Sequence, residues 1–71
     1  MDEVIINAIG LRCPMPIILA AKQLPKIAVG QSLTLLADDP AAAFDVPAWC
    51  RMTGQELTSS QGSTFVIKKT S

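Results

Sequence analysis

Apolar residues are concentrated in short runs that have the length and composition of β-strands. The first run covers 4–8, and a second over 32–37 is apolar on both faces, which is typical of a central strand. Near the end of the chain, a weak strand at 56–60 and a stronger one at 64–68 flank the turn 61–63, a spacing that predicts a hairpin. The pattern therefore predicts four strands.

The segment between the first two strands has the periodicity of an amphipathic helix, and we predict a helix from Pro14 to Leu24. Its apolar positions follow the i, i+3, i+4, i+7 spacing of one helix face, at Ile17, Ala20, Ala21 and Leu24. Pro25 is expected to end this helix, because proline lacks an N–H group and disfavours a helical residue before it.

A second helix is predicted after the second strand, and its first residue is open to two interpretations. Asp39 has the features of a helix cap, but Pro47 would then lie deep inside the helix and cost about 3 kcal/mol. A start at Asp45 places Pro47 in the first turn, where its missing N–H group is harmless. We therefore predict an irregular turn over 40–44, a cap at Asp45 and an end at Gly54. The shared helix face is then Val46, Trp49, Cys50 and Thr53.

The resulting order β-α-β-α-β-β places the chain in the α+β class. We expect a two-layer α/β sandwich in which two helices cover one face of a four-stranded mixed sheet. The 71 residues are expected to form a single domain, 1–71, and a domain this small buries only roughly 60% of its unfolded surface. Chemistry is therefore expected at the surface, and the last residues, Thr70 and Ser71, are expected to be frayed.

Charge and composition exclude several classes of function. The formal net charge is zero and there is no tyrosine, which disfavours direct nucleic-acid binding. No apolar run reaches the length of a membrane span, and the acidic start 1–3 is unlike a secretory signal. We therefore expect a cytoplasmic protein whose two cysteines are reduced. Because histidine is absent, a Cys-His nucleophile pair is excluded, and we expect no metal and no cofactor.

The residue with the clearest chemical potential is Cys13, at the predicted junction of strand and helix. Pro14 is expected at the first helical position, which would make Cys13 the N-cap, facing free backbone N–H groups and the positive end of the helix dipole. These groups, together with the charge of Arg12, predict a thiol with a lowered pKa. Pro16 is expected to stiffen the same turn without entering the core. The alternative is an inert, packed cysteine.

The segment 10–16, Gly-Leu-Arg-Cys-Pro-Met-Pro, resembles the Cys-Pro-x-Pro signature of the TusA-like (SirA-like) sulfur-carrier proteins. The resemblance continues in the right order through 30–33, 37–40, 45–50 and 54–57 and so covers nearly the whole chain. One departure is Asn7, where the family commonly has an aspartate. The family resemblance implies the same two-layer fold.

The resemblance also implies a function for Cys13. It implies that this cysteine accepts sulfane sulfur as a persulfide from a donor such as a cysteine desulfurase or a rhodanese. The family passes the sulfur to acceptor proteins in pathways that include tRNA thiolation, molybdenum-cofactor assembly and sulfur oxidation. We expect a monomeric carrier with a covalent intermediate, and whether it counts as an enzyme is left open. The alternatives are a non-catalytic regulatory module and a redox-sensing thiol.

Other residues divide into packing and docking candidates. Cys50 and Trp49 are expected in the core, and the three aspartates Asp38, Asp39 and Asp45 are expected to be turn and cap residues. Met15, Ile18 and Lys22 lie on the helix side opposite the apolar face and near the thiol. We expect them to form a docking surface for partner proteins, with the edge of the core as the alternative.

Overall fold

The structure, a computed structural model, describes residues 4–71 and confirms the predicted order of elements. The elements are β1 (Val4–Asn7), α1 (Met15–Gln23), a 3-10 turn (Leu24–Lys26), β2 (Ser32–Leu36), α2 (Ala42–Thr53), β3 (Glu56–Gln61) and β4 (Thr64–Lys68). The acidic start 1–3, interpreted above as unlike a secretory signal, lies outside the described residues.

The four strands form one mixed sheet in the order β1-β2-β4-β3. β1 and β2 are parallel and joined through α1, whereas β4 pairs antiparallel with both β2 and β3. Each strand alternates between a buried and a more exposed face. The fully or nearly fully buried side chains of the sheet all lie on one face, and they are Ile6, Leu33, Leu35, Phe65 and Ile67. The two helices cover this face, so the predicted α+β class and two-layer arrangement are confirmed.

Within residues 4–71, no helix covers the opposite face of the sheet. Ile5 on this face is 57% exposed, and Thr34 and Leu36 are only half-buried. The prediction that β2 is a central strand is confirmed by the strand order, but its apolar character on both faces does not indicate burial on both faces.

The first helix begins one residue later than predicted. Pro14 is the N-cap and Cys13 precedes it, joined to Pro14 by a cis peptide bond. The buried residues of α1 are Pro16 and Ala20, while Ala21 is exposed. The prediction that Pro16 stays outside the core is therefore wrong. The buried face of α1 contains Pro16 and Ala20, which lie one turn apart, and this face leaves Ala21 exposed.

The second helix begins at Ala42 and not at Asp45, so the predicted start is wrong. Ala42 and Val46 are both completely buried, one turn apart on the same face, and their burial requires a helical first turn. Pro47 therefore lies inside the helix and removes one intrahelical N–H donor. The predicted end is confirmed, because Gly54 closes the helix with a left-handed φ of 76°.

Hydrogen bonds hold the last residues in place, so the prediction of a frayed end is wrong. The Thr70 N–H donates to Gln55 Oε1 at 2.8 Å, and the Thr70 hydroxyl donates to the Gly54 carbonyl. Gln55 Nε2 donates to the Ser71 carbonyl at 3.1 Å. These contacts attach the chain after β4 to the connection between α2 and β3.

The two cysteines occupy different layers of the structure. Cys50 is 2% exposed and belongs to the core, as predicted, whereas Cys13 is half-buried and packs against the core from outside. Trp49 packs on the core as well, but it remains partly exposed and so is less buried than predicted. Within 4–71, no helix is both long enough and apolar enough to pass through a bilayer.

Candidate functional site around Cys13

The loop that carries Cys13 is attached to the loop that follows β2. Because β1 and β2 are parallel, the segments after them leave the sheet at the same edge. Asp38 Oδ1 accepts a hydrogen bond from the Gly10 N–H at 2.8 Å, and Asp39 Oδ2 accepts one from the Cys13 N–H at 2.9 Å. Gly10 has a φ of 84°, which favours glycine at this turn. Two neighbouring carboxylates thus fix both ends of the segment 10–13.

Asp39 also connects this loop to the start of α2. Its Oδ1 accepts a hydrogen bond from the Ala41 N–H at 2.9 Å, while its Oδ2 holds the Cys13 N–H. The Ala41 and Cys13 hydrogen bonds and the nearby charge of Arg12 lower the pKa of the Asp39 carboxyl. Asp39 is therefore ionised at neutral pH and joins the cysteine loop to α2.

The Cys13 thiol lies at the surface beside an open depression. Its side chain is half-buried and contacts the edge of the core. The depression is lined by Gly10, Leu11, Arg12, Asp38, Asp39 and Pro40. This depression is open to solvent, so a reacting group is presented to the sulfur from outside.

The structure raises the pKa of the Cys13 thiol, and the prediction of a lowered pKa is wrong. Burial is the largest cause of the raised pKa, followed by the negative charges of Asp45 and Asp39 and by a hydrogen bond between the thiol and the Asp45 carboxylate. All of these favour the neutral thiol over the thiolate. The resting protein therefore presents Cys13 predominantly in its protonated form.

The groups expected to activate the thiol are engaged elsewhere or absent. Pro14 and Pro16 have no N–H group to offer at the start of α1, and the Met15 N–H donates to the Arg12 carbonyl at 2.9 Å. The charge of Arg12 acts on the carboxylate of Asp39. These two prolines therefore also remove backbone N–H groups that could donate hydrogen bonds to a Cys13 thiolate.

The predicted docking residues are exposed beside the cysteine loop. Met15 is 44% exposed and Ile18 is 39% exposed, and Lys22 is exposed on the same helix. Two more apolar side chains, Phe44 at 78% and Met52 at 85%, are exposed on α2. Phe44 was missed because the predicted start of α2 left it outside the helix, whereas Met52 lay within the predicted helix and was given no role.

Asn7 supplies a hydrogen-bond acceptor to the turn after β1. Its Oδ1 accepts a hydrogen bond from the Ile9 N–H at 3.1 Å. A carboxylate could accept the same hydrogen bond, so the amide retains the turn contact while removing a negative charge from this end of the sheet.

The chemistry available at this site is that of one accessible sulfur. Within the described part of the chain, no group of three or more Cys, Asp or Glu side chains converges as metal binding requires. The second thiol, Cys50, is enclosed in the core, and burial raises its pKa. The site can therefore hold one covalently attached group on Cys13 and present it to solvent.

Sequence reasoning did not identify the contacts that the aspartates make with the cysteine loop. Asp38 and Asp39 were predicted as turn residues, but they also bind the amides of Gly10 and Cys13, which lie 28 and 26 residues earlier. The signal was present, because a helical connection between two strands predicts a parallel pair whose following loops are neighbours.

Comparisons with known proteins agree with this architecture. The family model described as "Sulfurtransferase TusA" matches residues 4–69 of the chain. The crystal structure of a SirA-like protein from Desulfitobacterium hafniense superposes with a TM-score of 0.68 at 24% sequence identity, covering 90% of each chain. The structural match shows the same fold, and the family match extends across all strands and helices described above.

Proposed function

This chain belongs to the TusA sulfurtransferase family, and from that premise we propose that it carries sulfane sulfur as a persulfide on Cys13. Family membership supports a role in sulfur relay in general. The observation that carries the specific assignment is the contrast between the two thiols. Cys13 is half-exposed on a fixed loop, whereas Cys50 is 2% exposed in the core.

The proposed transfer needs no oxidant or reductant from outside. The deprotonated Cys13 sulfur attacks the terminal sulfur of a donor cysteine persulfide. A new S–S bond forms on Cys13, the S–S bond of the donor breaks, and the donor cysteine leaves as a thiolate that takes up the proton lost by Cys13. One persulfide and one thiol are consumed, and one thiol and one persulfide are produced. Delivery to an acceptor protein repeats the exchange with Cys13 as the leaving group.

The partners in this proposal are proteins on both sides of the relay. The donor is a cysteine desulfurase or a rhodanese, and the acceptor belongs to a thiolation or sulfur-metabolism pathway such as tRNA thiolation. The open depression supports protein partners, because it does not enclose a small substrate. A reducing cytoplasm suits a carrier that works with a free thiol, and the carrier acts as a monomer that meets each partner in turn.

The loop residues have positioning roles in this proposal. Pro14 and Pro16 limit the conformations of the turn after Cys13, and Arg12 balances the charge of Asp39.

The raised pKa of Cys13 also bears on the redox-sensing alternative, which assumed a low pKa. Susceptibility to oxidation follows thiolate character, so the redox-sensing alternative is disfavoured.

The proposal is tested by intact-mass analysis after the protein is incubated with a cysteine desulfurase and free cysteine. We expect the mass to rise by one sulfur atom and to return to its starting value after treatment with a thiol reductant. A mass that stays unchanged under conditions in which the desulfurase itself becomes persulfurated would contradict the proposal.

Replacing Met15 and Ile18 together by serine is expected to slow sulfur transfer from a protein donor while leaving the protein folded. Both side chains are partly exposed, Met15 at 44% and Ile18 at 39%, so the loss of stability at each position should be smaller than the roughly 2–5 kcal/mol of a core truncation. Transfer should slow by roughly tenfold, because the apolar surface for docking is lost. Single-turnover transfer rates and thermal melts measure the two effects separately.

A matched control replaces two exposed apolar residues away from the loop, Ile5 and Val29, by serine. This variant removes a similar apolar area and should transfer sulfur at the parent rate. Equal slowing in both variants, or a melting temperature that falls as it would for a core truncation, would count against a docking role for Met15 and Ile18.

A further inference from the structure

Asp39 connects Cys13 to the start of α2, and both oxygens of its carboxylate take part. Oδ2 accepts a hydrogen bond from the Cys13 N–H at 2.9 Å, and Oδ1 accepts one from the Ala41 N–H at 2.9 Å. The backbone carbonyl of Asp39 accepts the Ala42 N–H, also at 2.9 Å. One residue therefore holds two amides at the start of α2 and the amide of a cysteine that lies 26 residues earlier.

The hydrogen bond from the cysteine loop is donated by the amide of Cys13 itself. This N–H is attached to the same Cα as the thiol side chain, so the position of the amide restricts where the sulfur can lie. Within residues 4–71, the Cys13 N–H has no other hydrogen-bond acceptor. The direction in which the thiol leaves the backbone therefore depends on Asp39.

The neighbouring Asp38 uses its carboxylate differently. Its Oδ1 accepts the Gly10 N–H at 2.8 Å, and no donor among residues 4–71 contacts its Oδ2. An asparagine side chain has one acceptor oxygen and an NH2 group that only donates. Asparagine can therefore replace Asp38 without loss of a hydrogen bond, but it cannot replace Asp39, which accepts on both oxygens.

We infer that Asp39 is a positioning residue for the proposed sulfur transfer, in which it holds the Cys13 amide and thereby the direction of the thiol. This inference rests on the proposed function and assigns a role to a further residue of the same site. Attack on a persulfide requires alignment of the reacting atoms, and a misplacement of about 1 Å can slow a reaction roughly a hundredfold. Because the depression beside Cys13 is open, the loop itself must supply this alignment.

The charge of Asp39 has the opposite effect on the reactivity of the thiol. Burial is the largest cause of the raised pKa of Cys13, and the charges of Asp45 and Asp39 add to it. Removal of the Asp39 charge therefore favours the thiolate, which is all that a small alkylating reagent needs. A positioning role thus predicts that alkylation and sulfur transfer change in opposite directions when this carboxylate is replaced.

The first experiment compares Asp39→Asn with Asp38→Asn by amide hydrogen exchange, measured by NMR. In Asp39→Asn the one side-chain oxygen is expected to stay with the Ala41 N–H, since asparagine forms this local turn as aspartate does. The Cys13 N–H then faces a donor, and its exchange should accelerate roughly tenfold. Asp38→Asn should leave the Cys13 amide unchanged and the Gly10 amide protected. A Cys13 amide that stays protected in Asp39→Asn would overturn the inference.

The second experiment measures single-turnover sulfur uptake from a cysteine desulfurase that carries a persulfide, in a Cys50→Ala background and at a temperature at which circular dichroism shows each variant folded. For Asp39→Asn we expect the maximal rate to fall roughly ten- to hundredfold at an unchanged half-saturating donor concentration. Its alkylation by iodoacetamide should be no slower than that of the parent. Asp38→Asn should take up sulfur at the parent rate.

Three results of this experiment would contradict a positioning role. A higher half-saturating donor concentration at an unchanged maximal rate would mean that Asp39 contacts the donor directly. Equal slowing in Asp38→Asn would assign the effect to charge, and equal slowing of alkylation and transfer would assign it to general disruption of the loop.

The two experiments also separate this inference from the proposed function. Absence of sulfur uptake in the parent protein would refute the proposed function, and the positioning role with it. The exchange of the Cys13 amide requires no donor and would still show whether Asp39 holds the loop. Uptake by the parent together with uptake by Asp39→Asn at the same rate would overturn the positioning role alone.

Discussion

Cys13→Ser is expected to take up no sulfur when it is incubated with a cysteine desulfurase and cysteine, whereas Cys50→Ala is expected to load like the parent. The hydroxyl of serine forms no persulfide, and the one remaining thiol, at Cys50, is 2% exposed in the core. Burial also raises the pKa of Cys50, which lowers its thiolate content further. Intact-mass analysis of the folded proteins measures the loading directly.

Alanine is the better replacement at Cys50, because a buried serine hydroxyl would lack a hydrogen-bond partner. The variant should retain the parent fold by circular dichroism. The assignment of the carrier sulfur to Cys13 would be wrong if Cys13→Ser loaded normally and Cys50→Ala did not load.

Pro16→Ala is expected to lower the stability of the protein by about 1–2 kcal/mol. The Pro16 ring is among the fully buried side chains, and alanine removes two methylene groups that each contribute roughly 0.8 kcal/mol when buried. For a domain of this size, the melting temperature should fall by roughly 5–15 °C. Thermal melts followed by circular dichroism measure the change.

Pro25→Ala is the matched control for this substitution. Pro25 also lies in the first turn of a helical segment, the 3-10 turn after α1, but its ring is exposed. Its replacement should change the melting temperature by no more than a few degrees. Equal effects at Pro16 and Pro25 would indicate that loss of backbone restriction, and not loss of packing, destabilises the protein.

Strands were the part of the fold that local sequence predicted best. β4 was predicted with its observed bounds, and β2 and β3 were each within one residue of theirs. Alternating patterns and turn residues such as Gly62, with a φ of 57°, are local signals. The hairpin pairing of β3 with β4 follows from the short turn between them, whereas the pairing of β4 with β2 has no local signal.

The start of α2 was predicted wrongly because tertiary contacts outweighed a local penalty. The cost of Pro47 inside a helix argued for a start at Asp45. Burial of Ala42 and the attachment of Asp39 to the cysteine loop favour the earlier start. The methyl group of Ala42 is completely buried, and Asp39 accepts the Ala41 N–H while it also holds Cys13. Asp39 was recognised as a candidate cap, but neither the burial of Ala42 nor the contact of Asp39 with Cys13 has a signature in the local sequence.

Local sequence identified the accessible thiol of the candidate site but not its electrostatic surroundings. Cys13 was singled out from its own neighbours, and it is the more accessible of the two thiols. The direction of its pKa shift depends on Asp45 and Asp39, which approach from another part of the chain. Arg12 is adjacent in sequence, yet its charge acts on Asp39. The sequence analysis expected the charge of the adjacent Arg12 to dominate at the thiol, whereas the largest charge effect there comes from Asp45.

The hydrogen bonds of Asp38 and Asp39 determine what would have to be moved if this site were grafted onto another scaffold. The segment 10–16 contains the cysteine and both prolines of the motif, but the groups that hold its amides belong to 38–39. A synthetic peptide of 10–16 would contain the motif without its supports and would present an ordinary flexible cysteine. The smallest transplantable unit is therefore two loops at the same edge of a parallel strand pair, with their spacing preserved.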